Sequence, residues 1–458
     1  MKNSKLIIVF TSTALLLSGC NTKKNNSSSE KEKETFQTTV DVKMGASLNE
    51  SKSDYNLSFK YDDAYFAKDA KAYDKELSLL SFGNSLVTAS EEAGRAFYDT
   101  LQFKDFASYH YDVTPTKDTA GYFFAHRSID DAELFAVSFR GFDYGEEWAN
   151  NFIIGKTGDH NGFSLRANEA YEDLQSYISS YRQNRTVKLW INGYSRGGAL
   201  SNTLASLILR EDKVSVTEEN LFVYTFEAPA SLTTEHAVAY QNVHNIINKN
   251  DLVTNIPPLK YGLKRCGVDY EIYDSNYASI MKDFDKGIVI PEFVNIDAGG
   301  DEPLSNDEQV LNYILKNIFD VNGIDEEYSA NDRDHYVDNY QQGLSNMIGY
   351  IFKMKPATRN AFISTLQSMG ISAVSILGDS TGVSLRDFIA PYLTQDGIAY
   401  DDDALLADCA VLVKAIGNLF LAPLMIMMSG TYSGDFTRLL DMHYPESTYA
   451  LLLNAHSK

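Results

Sequence analysis

The chain has 458 residues, and 40 Lys+Arg against 62 Asp+Glu leave a formal net charge of −22. That balance argues against nucleic acid as a partner, because a polyanion needs a basic footprint. Hydrophobic residues at 44% and charged residues at 22% exclude a disordered chain, and three cysteines exclude a disulfide framework. The fold must therefore rest on a hydrophobic core, in one large domain or two modest ones.

Lys2 and Lys5 open a short basic start, and residues 6–17 are apolar apart from Thr11, Ser12 and Thr13. This pattern is a secretory signal, too short to span a bilayer as a stable helix. Leu17-Ser18-Gly19-Cys20 resembles the lipobox of bacterial lipoproteins, which implies cleavage before Cys20 and acylation of that cysteine. Cleavage there removes two lysines and no acid, so −22 becomes −24. Residues 21–35 carry almost no apolar side chain and read as a solvated tether. A body this acidic is repelled by anionic lipid, so acyl chains rather than basic patches would hold it to the membrane.

Helical spacing predicts helices over 61–80 and 89–101. Residues 119–129 and 134–140 read as strands about an Asp130-Asp131 turn, followed by a helix over 167–181. Residues 186–192 form a near-continuous apolar run, as expected of a strand buried on both faces. A helix over 198–209 follows, then buried strands at 221–227 and 243–248. Alternating strands and helices predict a mainly parallel sheet covered on both faces, an α/β class. After about residue 270 the chain turns helical. Ser305 and Glu308 form a capping box, and further helices are expected over 336–353, 357–378, 384–394 and 403–428. Seven of ten methionines lie between Met347 and Met442, suiting a helical core or an adaptable acyl surface.

The strongest chemical signal is Gly193-Tyr194-Ser195-Arg196-Gly197, set between a buried strand and a helix. A nucleophile elbow needs that context: the turn tolerates only small flanking residues, and the helix start aims N–H groups at a developing oxyanion. A serine hydroxyl also needs a base oriented by a carboxylate. Asp251 follows the 243–248 strand, which puts it on the same sheet edge as Ser195. In the chain order Ser, acid, His, the base must come from His335, His443 or His456. His456 lies at the terminus, and His335 reads as solvated in an acidic loop. His443 adjoins ordered structure and is favoured, with His335 as the alternative.

These segments resemble the class 3 lipases, the fungal-lipase-like branch of the α/β-hydrolases. The resemblance is carried by Val137-Ser138-Phe139-Arg140-Gly141, by Trp148 and Asn151-Phe152, and by His160-Asn161-Gly162-Phe163. It continues through the serine elbow, Thr225-Phe226-Glu227-Ala228-Pro229, the Asn248–Val253 stretch with Ile256-Pro257-Pro258, and His443-Tyr444-Pro445-Glu446 with Tyr449. It implies Ser195 as nucleophile, Asp251 as orienting acid and His443 as general base. The backbone N–H groups of Arg196 and Phe142 would form the oxyanion hole. The family usually has Ser or Thr where this chain has Phe142, so only the backbone donor is kept there. Arg196 stands where Leu is usual, open to a structural ion pair or an anionic head group, and Glu227 replaces a glycine. His160 is expected to be structural. The aromatics of 142–154 fall where relatives carry a lid over the acyl site, or else are plain core.

The expected organisation is a lipoprotein signal and lipobox at 1–20, a disordered tether at 21–52, an α/β-hydrolase core at 53–279, a helical insertion at 280–430 and a returning core segment at 431–458. No zinc, EF-hand or phosphate-loop spacing is present, so no metal or cofactor is expected. The expected activity is serine hydrolysis of carboxylic esters, with lipid esters implied by the resemblance, on the extracytoplasmic face of a bacterial membrane. A phospholipase or acyltransferase, or a surface binding lipoprotein with a retained fold, are the alternatives. No protein partner is expected.

Overall fold

The computed structural model describes residues 35–49, 51–290, 307–319, 330–369, 374–428 and 441–457. Cys20 and the signal lie outside the described residues, as do residues 21–34 of the tether and the acidic stretches 291–306 and 320–329.

The chain opens on an antiparallel hairpin, β1 (Gln37–Gly45) and β2 (Asp54–Asp62). Helices α1 (Lys75–Leu86) and α2 (Glu91–Thr100) lead into β3 (Lys104–Tyr109), β4 (Tyr122–Ile129) and β5 (Ala132–Phe139). Then α3 (Asn161–Tyr181), β6 (Thr186–Tyr194), α4 (Arg196–Glu211) and β7 (Leu221–Phe226) alternate. The short β8 (Leu232–Thr233), β9 (Val243–Ile247), β10 (Leu263–Lys264) and β11 (Val268–Glu271) complete the strands. The main sheet has the order β11-β9-β7-β6-β5-β4-β3. From β5 to β11 its neighbours are parallel, and β4 and β3 add an antiparallel edge.

Both faces of this sheet are covered, which explains the continuous apolar run of β6. Leu189 and Ile191 pack with Leu174 of α3 and Leu200 and Leu204 of α4. Trp190 points the other way, into a core built with Leu77 and Leu80 of α1 and Phe97 of α2. The two-residue period sends alternate side chains to opposite layers. Trp190 Nε1 donates to Ser81 Oγ at 2.8 Å, so even its polar atom is satisfied.

Two expectations for the N-terminal part are corrected. The tether expected to reach residue 52 is already β-structure from Gln37, because Val40, Val42 and Met44 alternate inward against Leu57, Phe59 and Tyr61. The helix expected over 61–80 starts only at Lys75. There Asp74 caps α1, accepting the N–H groups of Glu76 and Leu77 at 3.0 Å each.

Beyond β11 come α5 (Tyr277–Phe284), α6 (Asp307–Phe319), α7 (Ala330–Tyr336), α8 (Gln342–Lys353), α9 (Pro356–Ser368), α10 (Val374–Leu377), α11 (Val383–Asp396) and α12 (Asp402–Met428). The last helix, α13, is Pro445–Ser457. The insertion is narrower than 280–430. Tyr277 and Met281 of α5, and Val310 and Leu311 of α6, belong to the hairpin-side core. From Tyr336 on, Leu344, Met347, Phe362, Ile389 and Leu405 form another core that also takes in Ile154, Ala230, Tyr261 and Leu263. Met347 and Met354 are buried there, as core rather than surface. Cys266 and Cys409 are both buried and free, in different cores. Among the described residues no helix is long and apolar enough to cross a membrane.

The hairpin is part of the core rather than an appendage. Phe59 fills the space beside Gly83 of α1 and meets the Tyr449 ring of α13 at 6.1 Å. Phe59→Ala should cost about 3–5 kcal/mol, read as a lower urea midpoint. An unchanged midpoint would show that the hairpin does not share the core.

Candidate active site

Ser195 sits between the end of β6 and the start of α4 with φ +53° and ψ −124°. A non-glycine residue reaches that region only where its surroundings hold it there. The Ser195 N–H donates to the Phe226 carbonyl at 2.8 Å, and its own carbonyl accepts from Ala199 N at 3.1 Å. The flanking glycines are steric requirements. A Cβ on Gly193 would lie 2.2 Å from the Gly197 carbonyl oxygen, and one on Gly197 would lie 2.5 Å from that of Phe139.

Asp251 follows β9 and is fully buried. Its Oδ1 accepts the Val253 N–H at 2.8 Å, and its Oδ2 lies 2.6 Å from His443 Nδ1. His443 Nε2 lies 2.8 Å from Ser195 Oγ. With Nδ1–H donating to Asp251, Nε2 is left as the acceptor facing the serine. The structure thus brings Ser195, Asp251 and His443 together and leaves the other candidate bases apart. His335 is exposed on α7, against Asn339, and His456 Nε2 lies 2.8 Å from the Tyr73 hydroxyl.

Arg196, the first residue of α4, has its backbone N–H at the open end of that helix. Phe142 follows β5 and stacks on Tyr194 with ring centroids 4.9 Å apart, beside Ser195 and His443. The Arg196 side chain is buried, not directed to solvent. It donates to the Thr119 carbonyl at 3.1 Å and lies 3.8 Å from Glu147, which also holds Arg140. The ion-pair expectation fits this placement, and an exposed head-group contact does not.

Two pockets meet at Ser195. One is apolar and lined by Tyr144, Trp148, Phe152, Phe163, Ile256 and Tyr336. The other lies between the β1 end and the His443 segment, with Lys43, Ser47, Phe142, His443 and Tyr444 in its wall. The 142–154 aromatics divide between the two readings. Tyr144 is buried and stacks on Trp148 at 5.0 Å, while Trp148 is partly exposed and stacks on Phe352 of α8 at 5.8 Å. The Tyr336 hydroxyl donates to the Phe152 carbonyl at 3.1 Å, and Lys353 pairs with Glu146 at 3.2 Å. The helical insertion therefore packs directly on the segment bordering the apolar pocket.

Sequence reasoning missed the role of Glu227 and Tyr194. Glu227 is buried at φ +47°, a conformation that explains why a glycine suits this position elsewhere. Its carboxyl accepts the Asn248 N–H at 2.9 Å and the Thr448 hydroxyl at 3.1 Å. Burial, and then the neighbouring Asp251, hold its acidity well below that of an ordinary carboxyl, so it keeps its proton. The Tyr194 hydroxyl donates to the His443 carbonyl at 2.8 Å. Among the described residues no group of three or more His, Cys, Asp or Glu is arranged to hold a metal ion.

A mainly parallel sheet whose strand-to-helix elbow presents a serine to a carboxylate-held histidine is that of an α/β-hydrolase. Within the chain, residues 136–261 match the family model for lipase (class 3). A lipase of Rhizomucor miehei is 24% identical over 168 residues, 33% of this chain and 45% of the relative. The chain thus spans less than half the length of that curated relative. Among solved structures, the Rhizomucor miehei lipase propeptide complex aligns at 19% identity with a TM-score of 0.34, over 45% of this chain and 71% of that one. A lipase from Rhizopus microsporus var. chinensis aligns at 19% with 0.33, over 44% and 77%.

His160 opens α3, stacks on Phe163 at 4.0 Å and has its Nε2 3.1 Å from the Asn151 carbonyl. Burial pushes its pKa from 6.5 down to about 3. In that window the unfolded chain binds a proton that the folded chain refuses, so stability contributed here falls as pH drops from about 6.5 toward 3. In His160→Gln the fall of urea-unfolding stability across this window should be shallower. An equally steep fall would show that His160 is not buried in its neutral form.

Proposed function

We propose that the protein is a serine hydrolase of carboxylic esters, lipid-anchored on the extracytoplasmic face of a bacterial membrane, acting on acylglycerols or related lipid esters. The observation that carries the reading is the relay of 2.8 Å from Ser195 to His443 and 2.6 Å from His443 to Asp251. Ser195 Oγ attacks the ester carbonyl as His443 Nε2 takes its proton, and Asp251 stabilises the resulting imidazolium. The backbone N–H groups of Arg196 and Phe142 meet the oxyanion. His443 then protonates the leaving alcohol, and water activated by the same nitrogen releases the acid from the acyl-enzyme.

The lipid substrate is supported by the apolar pocket beside Ser195 and by the lipases to which the chain is similar. The membrane anchor is supported by the signal pattern and by Cys20 at its cleavage position. Replacing Cys20 by alanine should move the protein from the membrane fraction to the soluble one. Persistence in the membrane fraction would remove the anchor from this reading.

Turnover of short and long acyl p-nitrophenyl esters tests the chemistry. Ser195→Ala should lose roughly 10⁴- to 10⁶-fold in kcat and Asp251→Asn roughly 10⁴-fold, with circular dichroism unchanged. Wild-type turnover by folded Ser195→Ala would contradict the proposal.

A further inference from the structure

We propose that Glu227 is a positioning residue of this site, donating a carboxyl hydrogen bond to Asp251 while gripping the two chain segments that carry the acid and the base. The inference rests on the Ser195–Asp251–His443 reading and deepens it. Glu227 immediately follows β7, at φ +47° and with no exposed surface. A carboxyl in that setting is costly twice over, once for the backbone conformation and once for desolvation.

Its contacts show what the group does. Oε2 accepts the N–H of Asn248, at the head of the turn whose Asn248 carbonyl receives the Asp251 N–H at 2.9 Å. Oε1 accepts from Thr448 of α13 at 3.1 Å, and Thr448 Oγ1 lies 2.8 Å from the Tyr194 hydroxyl that donates to the His443 carbonyl. One side chain therefore touches the acid turn directly and reaches the base through two hydroxyls.

Glu227 also neighbours Asp251, and after burial that neighbouring carboxyl is the next cause that raises its pKa well above the ordinary range. Two buried carboxyls in contact cannot both be ionised, so the pair keeps one proton. Asp251 already receives the His443 Nδ1–H on Oδ2 and the Val253 N–H on Oδ1, so both of its oxygens act as acceptors. The proton therefore resides on Glu227. The other titratable groups facing this pair are Tyr194 from β6, His443 ahead of α13 and, beyond Tyr194, Glu446 within α13. Burial keeps Tyr194 in its neutral hydroxyl form. A protonated Glu227 supplies Asp251 with a third donor, fixing its rotamer and moderating the negative potential felt by His443.

The test uses the full chain in detergent with p-nitrophenyl butyrate, measuring kcat and KM across pH. Glu227→Gln keeps a donor of nearly the same shape, and Glu227→Leu removes it. Glu227→Gln should keep kcat within about threefold. Glu227→Leu should lose about 10- to 100-fold in kcat at unchanged KM. Equal losses in both variants, or a wild-type kcat in Glu227→Leu, would overturn the proposal. Should Glu227→Leu fail to fold, Glu227→Gln decides alone: near wild-type kcat is expected, and a loss beyond tenfold in a folded protein overturns it. Fluorophosphonate labelling of Ser195 in the wild type separates the two levels. Labelling with an unaffected Glu227→Leu rejects only the positioning role, whereas no labelling rejects the hydrolase reading on which it stands.

Discussion

The positive φ of Ser195 is the constraint on which the rest of the site depends. It exists because β6 ends against a helix that must start at once, with no room for a Cβ at Gly193 or Gly197. The turn is held from outside itself by the Phe226 carbonyl of the neighbouring strand. Parallel packing of β5, β6, β7 and β9 brings the ends of successive strands to one edge. Phe142, Ser195, Glu227 and Asp251 all follow strands on that edge, so one sheet register positions the proposed nucleophile, the proposed acid and both oxyanion candidates.

The proposed base has no strand to hold it. His443 is separated from Asp251 by 192 residues and returns to the elbow just before α13. Its position is set instead by hydrogen bonds at the helix start. The His443 carbonyl takes the Tyr194 hydroxyl, Thr448 meets Glu227, and Glu446 accepts the backbone N–H groups of Ser47 and Leu48 at the end of β1. The N-terminal hairpin therefore does more than enlarge the core. It closes against the segment that carries the base and walls one of the two pockets at Ser195. The helical insertion walls the other through Tyr336. The two parts that extend the parallel-sheet core thus each wall a pocket that reaches the serine.

Much of this was legible in the sequence, for physical reasons. Strands buried on both faces give continuous apolar runs, so 186–192, 221–227 and 243–248 could be read directly. The elbow was legible because its steric demand leaves glycine at fixed offsets, and His443 because chain order left few alternatives. The β1–β2 hairpin was not legible although Val40, Val42 and Met44 alternate with polar residues, because that alternation is short and follows directly on the polar stretch that reads as a tether. The Glu227 network could not be read locally, since Thr448 lies 221 positions away and the contact exists only once α13 docks. The substitution of a glycine by Glu227 was the one visible signal, and only the buried geometry gives it a meaning.

The proposed hydrolysis passes through a covalent acyl-enzyme at Ser195. The most direct measurement is intact-mass analysis of the full chain quenched in acid during turnover of an activated acyl ester, followed by peptide mapping. The account predicts one added acyl group, located on the peptide containing Gly193 to Gly197 and absent in Ser195→Ala. A folded protein that turns over the ester with no adduct, or with the adduct on another residue, would contradict it.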